Sequence, residues 1–531
     1  MKSIRPAALL LVVVFGVLPN GVGAQQIFTT FVSAPDGTQL ATDVYLPAAG
    51  ASWPVILMRT PYGKSQHVLE CLSFALADYA CVVQDTRGRY ASGGEDTVFR
   101  DDGADGRATV AWITEQPWFG GAIGTFGASA LGITQYALAP DAHPALDCQL
   151  VMVATPRLGE HAFLQGGALR TSLLESWLAG QGALDFLDEL KAHRLRDDWW
   201  APLQLLDEPA SVDAAVLHIG GWYDIFQQGA IDAFRWYDQR GGPDARGRQH
   251  LVIGPWTHGG DAGELDYGVD VGAVLLATTV PWFDHCLKGR PNQAQGWSTV
   301  SVYLMGAVGE AGAPGNRWVD LESWPPSGRT HDLYLDAGGG LSPEAPAPGE
   351  TVLVSDPLDP VPTLGGANLH PCREVDGRPM GAGSHDQRPI EARSDVLVYT
   401  SEVLEEPLTV MGPVRARILL RPDTPDLDLA VRLTDVYPDG RSMLVVDGIQ
   451  RARMRCGADR ECFLTPGEPV ELEVDLWSTA IVFNAGHRIR VDVSGSNHPR
   501  FEVNPNDGTD LDDPDDWIVA RPVLLFGAEF P

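Results

Sequence analysis

Ile123-Gly-Thr-Phe-Gly127-Ala128-Ser129-Ala130-Leu131-Gly132 is the stretch on which the fold turns. An apolar strand runs into a glycine-flanked serine, and Ala130 to Ala139 then read as a helix. A sharp strand-to-helix turn lifts a hydroxyl above the sheet, beside the free amides of the helix N-terminus, and flanking glycines let backbones pass closely. The last glycine falls one place later than in the commonest Gly-x-Ser-x-Gly form. Taken alone, the motif also admits a serine that only N-caps a helix.

A serine is a weak nucleophile without a base, and the base needs a carboxylate to orient it. In a fold of this kind the acid and then the histidine follow the serine, each just beyond a later strand. Ala215-Val-Leu-His-Ile219 reads as such a strand and leads into Gly220-Gly-Trp-Tyr-Asp224; Leu251-Val-Ile-Gly254 is the next and leads into Pro255-Trp-Thr-His258. Asp224 and His258 therefore have the right order and placement. Among the alternatives, His218 lies inside its strand as a core histidine, and His250 opens a strand, a surface position. Asp213 sits at the wrong strand end, and Asp232 belongs to the next helix. When the serine attacks, the Ala130 N–H at the helix start is one donor to the oxyanion. The loop Met58-Arg-Thr-Pro-Tyr62-Gly-Lys64 occupies the place of the second donor, so Tyr62 is either that donor or a turn tyrosine.

Around these positions strands alternate with helices. Val55–Arg59, Cys81–Asp85, Ile123–Phe126, Gln149–Ala154, Ala214–Ile219 and His250–Gly254 read as apolar strands; His67–Tyr79, Asp102–Thr114, Ala130–Ala139 and Phe226–Tyr237 read as helices. That alternation describes a mostly parallel sheet covered on both faces. An interruption carrying Leu173, Leu174, Trp177 and Leu178, then Phe186, Leu187 and Leu190, reads as a helical cap over the strand ends. Beyond it, short strands separated by Pro, Gly and Asp signal a sandwich or jelly roll. The expected organisation is an α/β-hydrolase core at residues 25–155 and 212–295, a helical cap at 156–211, and a C-terminal jelly-roll domain at 296–531.

The chain has 531 residues and a net charge of −32, from 70 acidic and 38 basic side chains. Such a surface repels nucleic acid and anionic membranes, which removes both as expected partners. Lys2 and Arg5 precede an apolar run, Ala7 to Leu18, that is shorter than a membrane span and is followed by Val22-Gly23-Ala24. Residues 1–24 therefore read as a cleavable signal peptide, and the mature protein as secreted or periplasmic. None of the seven cysteines forms a CxxC pair, so no zinc or redox site is expected. In an oxidising compartment Cys456 and Cys462 are expected to close a small loop, with Cys71 and Cys81 a second candidate pair; the odd count leaves one thiol over.

Taken together, the motifs resemble the cocaine esterase / X-Pro dipeptidyl-peptidase-like (CocE/NonD) family of serine hydrolases. The matching segments are Asp36-Gly-Thr-Gln-Leu-Ala-Thr-Asp-Val-Tyr-Leu-Pro47, Arg59-Thr-Pro-Tyr-Gly-Lys64, Gln84-Asp-Thr-Arg-Gly-Arg-Tyr-Ala-Ser-Gly-Gly-Glu95, Gln116-Pro-Trp118, Gly127-Ala-Ser-Ala-Leu-Gly132, Gly221-Trp-Tyr-Asp224 and Gly254-Pro-Trp-Thr-His258. Tyr399-Thr-Ser-Glu402 and Asn497-His-Pro-Arg-Phe501 resemble the family's C-terminal β domain. The resemblance implies an active site where core, cap and jelly roll meet. Ser129 is then the nucleophile, His258 the base and Asp224 its orienter. Tyr62 and the Ala130 amide make the oxyanion hole, and Trp177 and Phe226 line the substrate pocket. The family often has Tyr after the nucleophile. Ala130 keeps the amide and shrinks the pocket wall.

The expected activity is hydrolysis of a small acyl ester, amide or short peptide through an acyl-enzyme, with no metal and no organic cofactor. An X-Pro dipeptidyl aminopeptidase, an α-amino acid ester hydrolase or β-lactam acylase are the alternatives within that chemistry. A non-catalytic exported binding protein, its jelly roll holding a glycan or partner, is the alternative outside it.

Overall fold

The computed structural model describes residues 26–207, 209–369, 374–375, 378–379, 381–509 and 517–527. The expected signal peptide and Cys372 lie outside the described residues.

Gln26–Ser33 (β1) and Gln39–Leu46 (β2) form an antiparallel hairpin whose turn needs Gly37, at φ 87°. The alternating layer follows as Trp53–Thr60 (β3), Val68–Leu76 (α1), Ala80–Asp85 (β4), Asp102–Thr114 (α2), Phe119–Ala128 (β5), Ala130–Leu138 (α3) and Leu146–Met152 (β6). The cap then contributes a short hairpin, Leu164–Gln165 (β7) and Ala168–Leu169 (β8), and the helices Thr171–Gln181 (α4) and Asp185–Ala192 (α5). The layer resumes with Ala215–Tyr223 (β9), Gln227–Arg240 (α6), Gln249–Thr257 (β10), Val271–Lys288 (α7), Val300–Leu304 (β11) and Arg317–Leu321 (β12). Together they build a ten-stranded sheet of order β1-β2-β4-β3-β5-β6-β9-β10-β11-β12. It is parallel from β4 through β11.

Both faces are covered, as side-chain alternation along a strand requires. Ile56 and Met58 of β3 pack with Phe74 of α1 and Phe283 of α7. Val55 and Leu57, pointing the other way, pack with Val110 and Ile113 of α2 and Leu138 of α3. Strands β4 and β9 are buried along their whole length, which is why they read as continuous apolar runs. Disulfides tie α1 to β4 (Cys71–Cys81) and β6 to α7 (Cys148–Cys286), and a third closes the loop Cys456–Cys462. The Cys148–Cys286 pair had no sequence signal, because its members are 138 residues apart.

The change of texture near residue 296 is not where the large sheet ends. Val300–Leu304, which holds Val302-Tyr-Leu304, the first of the short strands read as sandwich, instead adds β11 to that sheet, and Arg317–Leu321 follows as β12. The physical reason is that α7 returns the chain for one more parallel crossover, placing Val300 and Val302 beside β10. The two sheets of the β sandwich follow. The six-stranded sheet has Asp428–Val436, Ser442–Arg451 and Arg488–Ser494 as its longest strands, and the four-stranded sheet Leu408–Arg421 and Val470–Phe483. Leu429, Val431 and Val493 of one sheet meet Ile418, Leu472 and Val474 of the other in a core that also takes in Trp222, Ile231 and Val302 of the hydrolase layer. Sandwich and hydrolase are fused through one apolar interior.

Candidate active site

Ser129 stands between β5 and α3 at φ 59° and ψ −123°, a backbone conformation that side chains other than glycine rarely adopt. Its glycines explain how the turn fits. A Cβ on Gly127 would lie 2.4 Å from the Leu131 Cβ, and one on Gly132 would lie 2.5 Å from the Ala154 Cβ. The second glycine is thus placed by the close passage of α3 over the end of β6, which accounts for its unusual spacing.

The three strand ends converge. His258, just past β10, has its Nε2 3.0 Å from the Ser129 Oγ and its Nδ1 2.5 Å from the Asp224 Oδ2. Asp224, just past β9, is fully buried, and its other oxygen accepts the Phe226 N–H at 2.7 Å. With one oxygen held by backbone and the other by imidazole, the carboxylate fixes the ring so that Nε2 faces the serine. The Phe226 ring stands edge-on to His258, with centroids 5.7 Å apart.

Tyr62 and Trp177 complete the site. The Trp177 indole N–H donates to the Tyr62 hydroxyl at 3.0 Å, which leaves the phenol's own hydrogen free, with Ser129 as its other polar neighbour. Burial raises the Tyr62 pKa against the opposing effect of these two neighbours, so the phenol keeps its proton through neutral pH. The Ala130 N–H opens α3, among the first amides that lack an intrahelical acceptor. All seven expected site residues therefore gather at one place. Trp177, Phe226 and Ala130 share an apolar cluster with Phe99, Leu169 and Leu173.

Several further residues, none singled out in the sequence for a role, shape the site. Phe99 stacks on Trp177 at 5.5 Å, and Arg89 donates both to the Pro61 carbonyl (3.1 Å) and to the Gln181 side chain (2.8 Å), tying the Tyr62 loop to the end of α4. Arg170 is buried behind the Asp224 turn and donates to the Ile225 carbonyl at 2.8 Å. His218 is the core histidine expected, bonded to Tyr136 and Gln249, with burial lowering its pKa to about 3. His250, expected at the surface, is half-buried edge-on to Trp282 and Trp297, because β10 is an interior strand of the sheet rather than its edge. Among the described residues, no group of three or more His, Cys, Asp or Glu side chains is placed to hold a metal ion.

Comparison with known proteins places this geometry. Residues 36–186 and 179–260 match the model of the X-Pro dipeptidyl-peptidase (S15) family, and residues 292–531 match the X-Pro dipeptidyl-peptidase C-terminal non-catalytic domain. The chain is 33% identical to the cocaine esterase of Rhodococcus sp. (strain MB1 Bresler) over 545 residues, spanning 89% of this chain and 91% of that one. It belongs to the cocaine esterase / X-Pro dipeptidyl-peptidase family of serine hydrolases. Two solved structures share the fold of this family member. An aminopeptidase from a marine-sediment Thaumarchaeota archaeon has a TM-score of 0.80 at 24% identity, covering 97% of this chain and 98% of its own. An α-amino acid ester hydrolase has a TM-score of 0.80 at 24% identity, covering 96% of each chain.

Proposed function

We propose that this serine hydrolase cleaves esters of small acids with an apolar acyl group, through an acyl-enzyme on Ser129. The observation that carries the reading is the continuous hydrogen-bonded chain from buried Asp224 through His258 to the Ser129 hydroxyl. His258 takes the proton as Ser129 attacks the carbonyl, and Asp224 stabilises the imidazolium that results. Tyr62 and the Ala130 N–H receive the oxyanion, each worth on the order of 3–4 kcal/mol in such sites. His258 then protonates the leaving alcohol, and water repeats the sequence to release the acid. Trp177, Phe99 and Phe226 make the surroundings aromatic, which suits an apolar acyl group. The similarity to a cocaine esterase supports ester over peptide as the substrate.

A fluorophosphonate probe tests the nucleophile: the wild type is expected to label and Ser129→Ala is not. Equal labelling of both would end the reading. Turnover of an aryl ester against a free-amine X-Pro anilide separates esterase from dipeptidyl aminopeptidase.

We also propose export through the signal peptide at 1–24. Disulfides at Cys71–Cys81, Cys148–Cys286 and Cys456–Cys462 suit an oxidising compartment. A mature N-terminus at Gln25 in the exported fraction is the expected result, and an intact Met1 in that fraction would refute cleavage.

A further inference from the structure

The triad acid does not rest on the hydrolase core alone. Asp224, Ile225 and Phe226 form the turn between β9 and α6, and the groups that grip this turn come from the other two domains. From the cap, the Arg170 guanidinium donates to the Ile225 carbonyl at 2.8 Å and, through the same nitrogen, to the His161 carbonyl; its other terminal nitrogen donates to the Ala367 carbonyl at 3.1 Å. From the sandwich, the Ser478 carbonyl accepts the Gln227 side-chain amide, one residue past the turn.

Arg170 is also the residue at which α4 begins. Its carbonyl accepts the Leu174 N–H at 3.0 Å, and its own N–H donates to the Phe163 carbonyl at 2.9 Å. Two turns along, α4 presents Trp177 to the Tyr62 hydroxyl. One side chain thus fixes the acid turn while its backbone starts the helix that reaches the opposite wall. The sandwich closes over it: the Trp477 ring lies 5.5 Å from the guanidinium and edge-on to His161 at 5.7 Å. Trp477 sits at φ 70°, a strained conformation kept only where the surroundings enforce it. Burial and the neighbouring Arg500 lower the Arg170 pKa to about 9, which still leaves the group cationic at neutral pH. A buried cation is costly unless its hydrogens are used; here both terminal nitrogens donate, to three carbonyls from core, cap and interdomain loop, while the buried Nε has no partner among the described residues.

We infer that Arg170 is a positioning residue that holds Asp224 and His258 in reactive geometry by clamping the Ile225 carbonyl from the cap. The inference rests on the triad reading above. A loosened turn lets the carboxylate tilt, and misplacement by about 1 Å is enough to cost ~10²-fold in rate.

The test uses the full chain with Arg170→Met, Arg170→Lys and, as a control, Arg451→Met, a change at a buried arginine of the sandwich that pairs with Asp428 and Glu502 away from the turn. Measured are kcat and KM on an aryl ester per fluorophosphonate-labelled site, and the low-field proton resonance of the His258–Asp224 hydrogen bond. Expected for Arg170→Met is a kcat lower by about 10- to 100-fold with KM changed less than about threefold, and a shifted or vanished resonance. Arg170→Lys, which keeps the charge and reaches one carbonyl, should recover part of the rate; it also carries the test if the Met variant does not fold. Arg451→Met should lose stability while keeping kcat per labelled site and the resonance. Wild-type kcat and resonance in a folded Arg170→Met protein would overturn the inference, as would an equal kcat loss in Arg451→Met. Failure of the wild type to label is distinguishable from both, since it strikes the Ser129 reading itself.

Discussion

The hydrolase sheet and the β sandwich bury different things. Strands β4 and β9 lie wholly inside the sheet, and the proposed triad, Ser129, Asp224 and His258, stands beyond strand ends. The sandwich domain hides charge within its own strands and loops: Arg432, Arg451 and Arg500 are almost wholly buried, together with Asp428, Asp447, Asp492 and Glu502. Much of that charge faces the cap. Glu502 holds Arg194 of the cap at 2.6 Å and 2.8 Å and also pairs with Arg451, while Arg500 pairs with Asp447 and reaches Gln165. A buried ion pair adds little net stability over an apolar contact, yet breaking one is expensive. The sandwich therefore buys docking geometry for the cap, and the sheet supplies the platform for chemistry.

Breaking the two regions should have opposite signatures. The largest effect belongs to the strand ends of the sheet. Ser129→Ala is expected to lower ester turnover by roughly 10⁴- to 10⁶-fold while shifting the thermal midpoint little, because it removes only the hydroxyl's hydrogen bond with His258 and keeps the Cβ and backbone of the turn. Loss of midpoint in step with activity would contradict this division.

In the sandwich, Glu502→Gln is expected to cost about 3–5 kcal/mol of stability, since it removes the buried negative charge that both Arg194 and Arg451 bond, with kcat per folded molecule retained. Burial alone would raise the Glu502 pKa, but Arg451 and Arg194 outweigh it and hold it at about 2. A carboxyl depressed in the folded state stabilises above its ordinary pKa and loses that contribution as pH falls through the folded value. The gap between wild type and variant should thus be full above about pH 4.5 and shrink towards pH 2 in urea titrations. A constant gap would show that the charge is not what matters.

Tyr62→Phe returns to the sheet side. It removes one proposed oxyanion donor and should lower kcat by about 10²- to 10³-fold, with KM little changed. The Trp177 N–H is then left without its acceptor, so a small stability loss of about 1 kcal/mol is expected alongside. A rise in KM with kcat intact would make Tyr62 a binding residue instead.

The same contrast governs what the sequence could disclose. The parallel strands and the residues beyond them were legible, since apolar runs mark interior strands and the triad's chain order fixes which later Asp and His to choose. Asp102–Thr114 comes out as a helix with the bounds read from the residues. Strands β11 and β12 were not legible as part of the sheet, because a short strand flanked by Pro and Gly looks the same at a sheet edge as in a sandwich. The buried arginines were hidden for a related reason. Arg170 in Leu169-Arg-Thr-Ser has nothing local to distinguish it from a solvated helix-start arginine; only packing by Trp477 and Ala367, hundreds of residues later, makes it interior. Phe99 and Arg89 join the site by the same kind of remote contact.

The smallest effect predicted lies deepest in the sandwich, and its sign is opposite to that at Glu502. Asp492 faces Arg432 across neighbouring strands, but neither of its carboxylate oxygens has a hydrogen-bond partner among the described residues. Burial, with Glu391 nearby, raises its pKa to about 8, against the pull of Arg432 and Arg490. With the folded pKa above the ordinary carboxyl value, the native state holds an extra proton between the two, so stability falls as pH rises through that window. Above about pH 8 the unpartnered charge exerts its full cost. Asp492→Asn removes the charge and supplies an amide that can donate to the buried, unpartnered Glu391 Oε1. It should raise stability by about 1–3 kcal/mol at pH 9 and by much less at pH 5. Urea midpoints at the two pH values measure the difference. An equal gain at both would mean that packing, not ionisation, sets the cost of this carboxylate.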